Sequence, residues 1–117
     1  MRNKREIGFA YEKIAGEYLK TQGYDIIEYN FYSKHGEIDI LAKHEGYLVF
    51  VEVKYRESDS KGDPLEAISI KKQRTISKCA LYYINKKGMQ DMSVRFDVVG
   101  ILRDKIQVVQ NAFEFMI

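Results

Sequence analysis

Three charged residues stand out in two neighbouring strand-like segments. Asp39 is flanked by isoleucines within residues 37–42, and Glu52 and Lys54 end the apolar run of residues 47–54. Side chains alternate along a strand, so Glu52 and Lys54 face the same side with Cα atoms about 6.6 Å apart. If the two segments form a hairpin, Asp39 stands beside Glu52, because paired strands lie about 4.8 Å apart.

Two neighbouring carboxylates repel each other, and burial increases the repulsion. A divalent cation relieves it: Mg²⁺ takes one or two carboxylates and leaves its other positions to water and phosphate oxygens. A nearby lysine can balance charge, orient a water or stabilise a transition state at phosphorus. The pattern predicts that Asp39 and Glu52 bind Mg²⁺ or Mn²⁺ and that Lys54 is catalytic. The alternative is an ion pair between Glu52 and Lys54, with Asp39 as an exposed edge residue.

The elements that must position these residues follow from hydrophobic spacing. Apolar residues at three- and four-residue steps predict a helix over residues 6–21, capped by a left-handed Gly23. Residues 24–31 predict a first strand, followed by the hairpin of 37–42 and 47–54. Within the hairpin, alternation places Ile38 and Ile40 on one face, opposite Asp39.

The second half of the chain predicts one helix and two strands. Asp63 as N-cap, Pro64 at the first helical position and Glu66 in a capping box start the helix. It is expected to run to about Lys86 and to stop at Gly88. Residues 94–99 and 106–113 predict the last strands, so the order is helix, three strands, helix, two strands. That order indicates a mixed α/β sandwich around a central sheet.

Length and composition indicate one globular domain over residues 1–117. Hydrophobic residues make up 45% and charged residues 31% of the 117, which excludes a disordered chain. No apolar run approaches the roughly 20 residues that span a bilayer. One cysteine, Cys79, excludes a cysteine-rich zinc site and fits a reducing compartment, so we expect a cytoplasmic protein. His35 and His44 are expected in exposed turns, and Cys79 is expected to be buried.

Charge is unevenly distributed along the chain. Residues 64–90 hold six basic residues and one acid, whereas residues 36–54 hold four acids and two bases. In the second helix, Lys71, Arg74 and Lys78 recur at three- and four-residue steps and share a face, which suits contacts to phosphate. A solvated, solubilising face is the alternative.

Two blocks carry a family resemblance: GEIDIL at residues 36–41 and LVFVEVKYR at residues 48–56. With matches at residues 8–12, 72–74 and 95–99, the chain resembles, over nearly its whole length, the YraN-like family of the PD-(D/E)xK restriction-endonuclease-like nucleases. Ile38 departs from the pattern, since the signature of that superfamily has proline at this position. The resemblance implies an α/β, restriction-endonuclease-like sandwich, with a central mixed β-sheet flanked by α-helices.

The resemblance also implies roles for individual residues. Asp39 and Glu52 would be metal ligands, Lys54 the catalytic lysine, and Glu12 the catalytic carboxylate of the first helix. Lys72 or Gln73 would approach the site from the second helix. We count the cluster Lys71, Lys72, Gln73, Arg74 and Lys78 as candidate nucleic-acid contacts.

The expected function is that of a Mg²⁺-dependent endonuclease acting on DNA, directed by structure rather than by sequence. A non-catalytic nucleic-acid-binding module on the same fold is the first alternative, and an interaction protein without nucleic acid is the second. A homodimer is expected under the leading hypothesis, because cutting two strands takes two sites, which a twofold dimer supplies.

Overall fold

The computed structural model describes residues 3–58 and 68–116. These residues form two helices and five strands: α1 Lys4–Thr21, β1 Asp25–Ser33, β2 Gly36–His44, β3 Tyr47–Arg56, α2 Ile70–Lys87, β4 Ser93–Leu102 and β5 Lys105–Phe113. The order of helices and strands and the α/β class agree with the prediction. Neither described helix is long and apolar enough to cross a membrane.

The five strands form one sheet in the order β1-β2-β3-β4-β5. All neighbours are antiparallel except β3 and β4, which run parallel and are separated in sequence by α2. Each face of the sheet carries a separate apolar cluster. Leu48 and Phe50 pack in the cluster that contains α2, whereas Val49 and Val51 pack in the cluster that contains α1. The mixed sheet is therefore flanked by a helix on each face, as predicted.

The start of α2 differs from the prediction. The helix begins at Ile70, and the Ser69 hydroxyl caps it by accepting a hydrogen bond from the Lys72 main-chain N–H at 3.0 Å. Ile68 and Ser69 are not helical, so the helix is shorter than expected. The proposed capping box lies at residues 63–66, outside the described residues. The predicted end is confirmed, since Gly88 follows the helix in the left-handed conformation.

The prediction that Ile38 and Ile40 share a face is wrong. Ile38 pairs with Phe31 and packs on the α2 side, whereas Ile40 pairs with Tyr29 and packs on the α1 side. Between these pairs, Asn30 has a φ of 56°, in the left-handed region that interrupts regular strand alternation. In both strands, the regular alternation of side chains between the two faces of the sheet is interrupted at this position. Asp39 lies at the interruption.

The prediction for His44 is also wrong, because this side chain is buried. Its ring stacks on Tyr24 at 4.0 Å, and its Nδ1 lies 2.8 Å from Arg95 Nη2. Arg95 also donates to the buried Asp97, and the Tyr24 hydroxyl donates to the same carboxylate at 2.6 Å. These contacts give the buried charges of Arg95 and Asp97 hydrogen-bond partners near the turn between β2 and β3. His35 lies exposed in a turn and Cys79 is buried, both as predicted.

Candidate functional site

Strands β2 and β3 separate beside the predicted carboxylates. Their pairing runs from His44 opposite Tyr47 to Ile40 opposite Val51; beyond this point β2 continues against β1, and β3 continues against β4. At the separation, Asp39 Oδ2 accepts a hydrogen bond of 2.8 Å from the Val53 main-chain N–H. A side chain thus satisfies an N–H group to which the β2 backbone offers no ladder partner. Asp39 is held between the diverging strands.

Glu52 lies next to this opening and is 7% exposed. Burial raises the pKa of Glu52 to about 9, and the neighbouring Asp39 contributes to this rise by charge and hydrogen bonding. Two cations oppose this effect and lower the pKa: Lys72, whose Nζ lies 3.9 Å from Glu52 Oε2, and Lys54 on the same strand. Asp39 and Lys54 thus both act on the Glu52 carboxyl group, in agreement with their predicted closeness to it, whereas their roles in metal binding and catalysis stay predictions.

Helix α1 adds a third carboxyl group, that of Glu12. It is half-buried, and burial raises its pKa to about 8, with contributions from the charge and hydrogen bonding of Asp39. Four residues later, Gly16 lies against the Tyr29 ring of β1, where an added Cβ would overlap the ring. This close approach seats α1 against β1 and brings Glu12 to Asp39.

The candidate residues of α2 divide into two groups. Lys72 reaches Glu52, whereas the Gln73 side-chain amide donates to the Ile68 carbonyl at 3.2 Å and so turns back to the start of its own helix. The remaining basic residues, Lys71, Arg74 and Lys78, are exposed on the helix surface. Of the two side chains expected to approach the site, Lys72 does so.

Sequence reasoning missed Asn30, which lies across from Asp39 in β1. Its hydrogen bonding lowers the pKa of Glu12, against the causes that raise it. The Asn30 Oδ1 atom is buried and has no hydrogen-bond partner among the described residues. An available signal was an asparagine inside an apolar strand, since asparagine tolerates the left-handed conformation better than most residues do.

The donor set fits a hard divalent cation. Within residues 3–58 and 68–116, no three His, Cys, Asp or Glu side chains are already arranged as metal ligands. Mg²⁺, however, needs only one or two carboxylates, with water and phosphate oxygens completing its coordination. Asp39 and Glu52 supply such a pair, and Glu12 Oε1 is buried beside them without a hydrogen-bond partner in the described structure. Burial and repulsion from Asp39 together raise the pKa values of Glu12 and Glu52, and a cation at this position would relieve the repulsion.

Comparison with known proteins places the chain in a family. Residues 11–101 match the family model described as "Uncharacterised protein family UPF0102". A UPF0102 protein of Lachnoclostridium phytofermentans is 47% identical over 113 residues, covering 96% of both chains. A UPF0102 protein of Thermodesulfovibrio yellowstonii is 45% identical over 108 residues, covering 92% of this chain and 96% of the relative. This chain belongs to the UPF0102 family.

Proposed function

We propose that this protein is a metal-dependent nuclease that hydrolyses phosphodiester bonds in DNA. The observation that carries the proposal is the convergence of Glu12, Asp39 and Glu52, from α1, β2 and β3, beside Lys54 and Lys72. Buried carboxyl groups that raise one another's pKa values in a cleft mark a candidate functional site, and carboxylates able to share a divalent cation, with lysines beside them, suit phosphoryl chemistry. The described geometry argues against the alternative of an exposed Asp39, because Asp39 is buried and held by Val53.

The position of each side chain in this group suggests its role in the hydrolysis. Asp39 and Glu52 would hold Mg²⁺ or Mn²⁺, which supplies a Lewis acid for the charge that develops on phosphate. Lys54 lies on the Glu52 face of β3 and orients a water or stabilises charge at phosphorus. Glu12 accepts a proton or binds a water from the α1 side. Lys72 neutralises part of the carboxylate charge and contacts the substrate phosphate.

The wider assignment rests on the same residues. The order of elements, the Asp39 and Glu52 pair and the Lys54 position support membership of the restriction-endonuclease-like superfamily. The exposed Lys71, Arg74 and Lys78 offer phosphate contacts on α2, which favours a nucleic acid recognised by structure rather than by sequence.

A homodimer would place two sites on one duplex, and sedimentation at several protein concentrations tests this. The single free Cys79 fits a cytoplasmic location.

The deciding experiment is cleavage of labelled single-stranded, duplex, flap and four-way-junction DNA with Mg²⁺, Mn²⁺ or EDTA. Wild type is compared with Lys54→Ala and with Lys43→Ala, which changes an exposed lysine on the neighbouring strand β2. We expect cleavage that requires the metal and persists in Lys43→Ala. In Lys54→Ala we expect it to fall by at least about a hundredfold, the effect of removing one group that stabilises charge in a transition state.

The result that would overturn the proposal is equal cleavage by wild type and Lys54→Ala, or cleavage in EDTA. Salt-sensitive binding of DNA without any product would support the non-catalytic binding module instead. Absence of both binding and cleavage would support an interaction protein that has no nucleic-acid partner.

A further inference from the structure

A pocket of about 500 Å³ opens on the α1 side of the carboxylate group, and Glu12 forms part of its wall. Two exposed aromatic side chains line it: Phe9, which is 40% exposed, and Tyr32, which is 52% exposed. They come from different elements, α1 and the end of β1. Large exposed rings that converge on a cavity beside a candidate active site indicate a ligand that they can cover.

The charges around this pocket identify the kind of ligand. Lys4 and Arg5 are both lining residues of the pocket. The Arg5 guanidinium lies 5.5 Å from the centroid of the Phe9 ring, and its Nη2 donates to the Tyr32 hydroxyl at 3.3 Å. Arg5 thus links the two aromatic residues, with its guanidinium over the Phe9 ring and bonded to the Tyr32 hydroxyl. Aromatic and guanidinium surfaces next to basic groups are the features with which proteins bind unpaired nucleotides.

The space in the pocket is open to a base. Gly8 lies on its wall, and a Cβ atom built there meets no atom within 4 Å. Glu37 and Glu12 also line the pocket, and these acidic groups disfavour a phosphate near them. The phosphate of a bound nucleotide is therefore expected at Lys4 and Arg5, with the base against the rings.

We infer that this pocket binds one unpaired nucleotide next to the bond that is cleaved, with its base against Phe9 and Tyr32. The inference rests on the proposed nuclease function and narrows its substrate class to nucleic acid with a single-stranded segment beside the cut. A fully paired duplex keeps its bases stacked inside the helix and cannot place one in the pocket without unpairing it.

The test measures binding without metal, so that it does not depend on cleavage. Fluorescence anisotropy in EDTA compares a labelled thymidine oligonucleotide with a duplex of the same length. Gly8→Leu fills the pocket from a position with room for the side chain, and the double variant Phe9→Ala, Tyr32→Ala removes the stacking surfaces. Tyr82→Ala is the matched control, because Tyr82 on α2 is 40% exposed, as Phe9 is. Far-ultraviolet circular dichroism and thermal unfolding establish that each variant is folded.

We expect wild type to bind the single strand more tightly than the duplex. Gly8→Leu and the double variant are expected to weaken single-strand binding by about tenfold or more, the size of one base–aromatic stack. Tyr82→Ala is expected to bind as wild type does. Unchanged binding in both pocket variants, or an equal weakening in Tyr82→Ala, would overturn the inference.

Cleavage by the same variants separates this inference from the proposed function. If binding depends on the pocket but no metal-dependent cleavage occurs, the nuclease proposal fails and the nucleotide pocket stands. If both pocket variants cleave a fully paired duplex and a flap as wild type does, the nuclease proposal stands and the pocket inference fails.

Discussion

The Val53 main-chain N–H donates to Asp39 Oδ2 at 2.8 Å, at the point where β2 and β3 stop pairing. One carboxyl group therefore has two tasks: it satisfies the backbone of β3, and it faces Glu52 and Glu12. The candidate site is built into the separation of two strands, so the groups that give it chemistry also hold its shape.

Substitutions of Asp39 separate these two tasks. Asp39→Asn and Asp39→Ala both remove the negative charge, but only asparagine keeps an oxygen that can accept from Val53. We expect both variants to lose Mn²⁺ binding and cleavage. In urea unfolding without metal, the alanine variant is expected to be less stable than the asparagine variant by about 1–3 kcal/mol, the effect of leaving a buried N–H unsatisfied. Equal stabilities would show that the hydrogen bond to Val53 contributes nothing.

The pH dependence of stability has a definite sign. Burial and Asp39 raise the pKa values of Glu12 to about 8 and of Glu52 to about 9, from 4.5 in both cases. Above pH 4.5 and below these raised pKa values, Glu12 and Glu52 hold protons in the folded protein that they have released in the unfolded chain. These two groups therefore make stability fall as pH rises. We expect unfolding in EDTA to become easier from pH 5 to pH 9.

The matched variant for this prediction is Glu52→Gln, which cannot titrate and is expected to flatten the slope. Mn²⁺ is expected to raise the unfolding temperature of wild type more at high pH than at low pH, because the cation and the protons compete for the same carboxylates. A metal-free stability that rises across this window would contradict the assignment of Glu12, Asp39 and Glu52 to one carboxyl cluster.

Basic residues of α2 are expected to act in two different ways. Lys72 contacts Glu52, so Lys72→Gln is expected to lower kcat. Replacing Lys71, Arg74 and Lys78 together by glutamine is expected to leave kcat near that of wild type. It is expected to reduce the slope of log binding constant against log salt by about 0.9 for each duplex phosphate that these side chains neutralise in wild type. If Lys72→Gln and the triple variant changed kcat and the salt slope equally, Lys72 would not differ in function from the exposed basic residues.

Two glycines of α1 provide an internally controlled test of how the helix is seated. Gly16→Ala places a methyl group on the Tyr29 ring and is expected to destabilise the fold by about 1–3 kcal/mol. Gly8→Ala meets no neighbouring atom and is expected to stabilise the helix by about 0.5–1 kcal/mol. Urea unfolding of both variants checks the opposite signs. A stabilising Gly16→Ala would mean that α1 does not pack closely on β1.

Asn30 is expected to be a positioning residue for Glu12. Asn30→Gly keeps the left-handed backbone and removes the amide, so we expect it to remain folded and to lose kcat with little change in KM. Asn30→Ala removes the amide and also strains the backbone, with an additional loss of stability of about 1–2 kcal/mol. Wild-type kcat in Asn30→Gly would show that the amide does not orient Glu12.

The order of elements, the helix cap at Gly88 and the closeness of Asp39 to Glu52 could all be predicted from sequence. These features depend on interactions between residues close in sequence or across one hairpin: periodic burial, left-handed glycine and strand alternation. The start of α2 could not be predicted as well, because Ser69 at the observed start and Asp63 further upstream both have the side chain of an N-cap.

The amino-acid sequence alone determined which residues could do chemistry, because Glu52 and Lys54 interrupt an apolar strand and Asp39 lies between two isoleucines in the strand before it. The tertiary structure decided which residues from other elements lie next to these three. Glu12 and Lys72 reach the group only because α1 and α2 pack on opposite faces of the sheet beside the separation of β2 and β3. The part played by Asn30 and the burial of His44 likewise depend on contacts between residues distant in sequence. Local spacing cannot specify such contacts, since packing of the whole chain selects them.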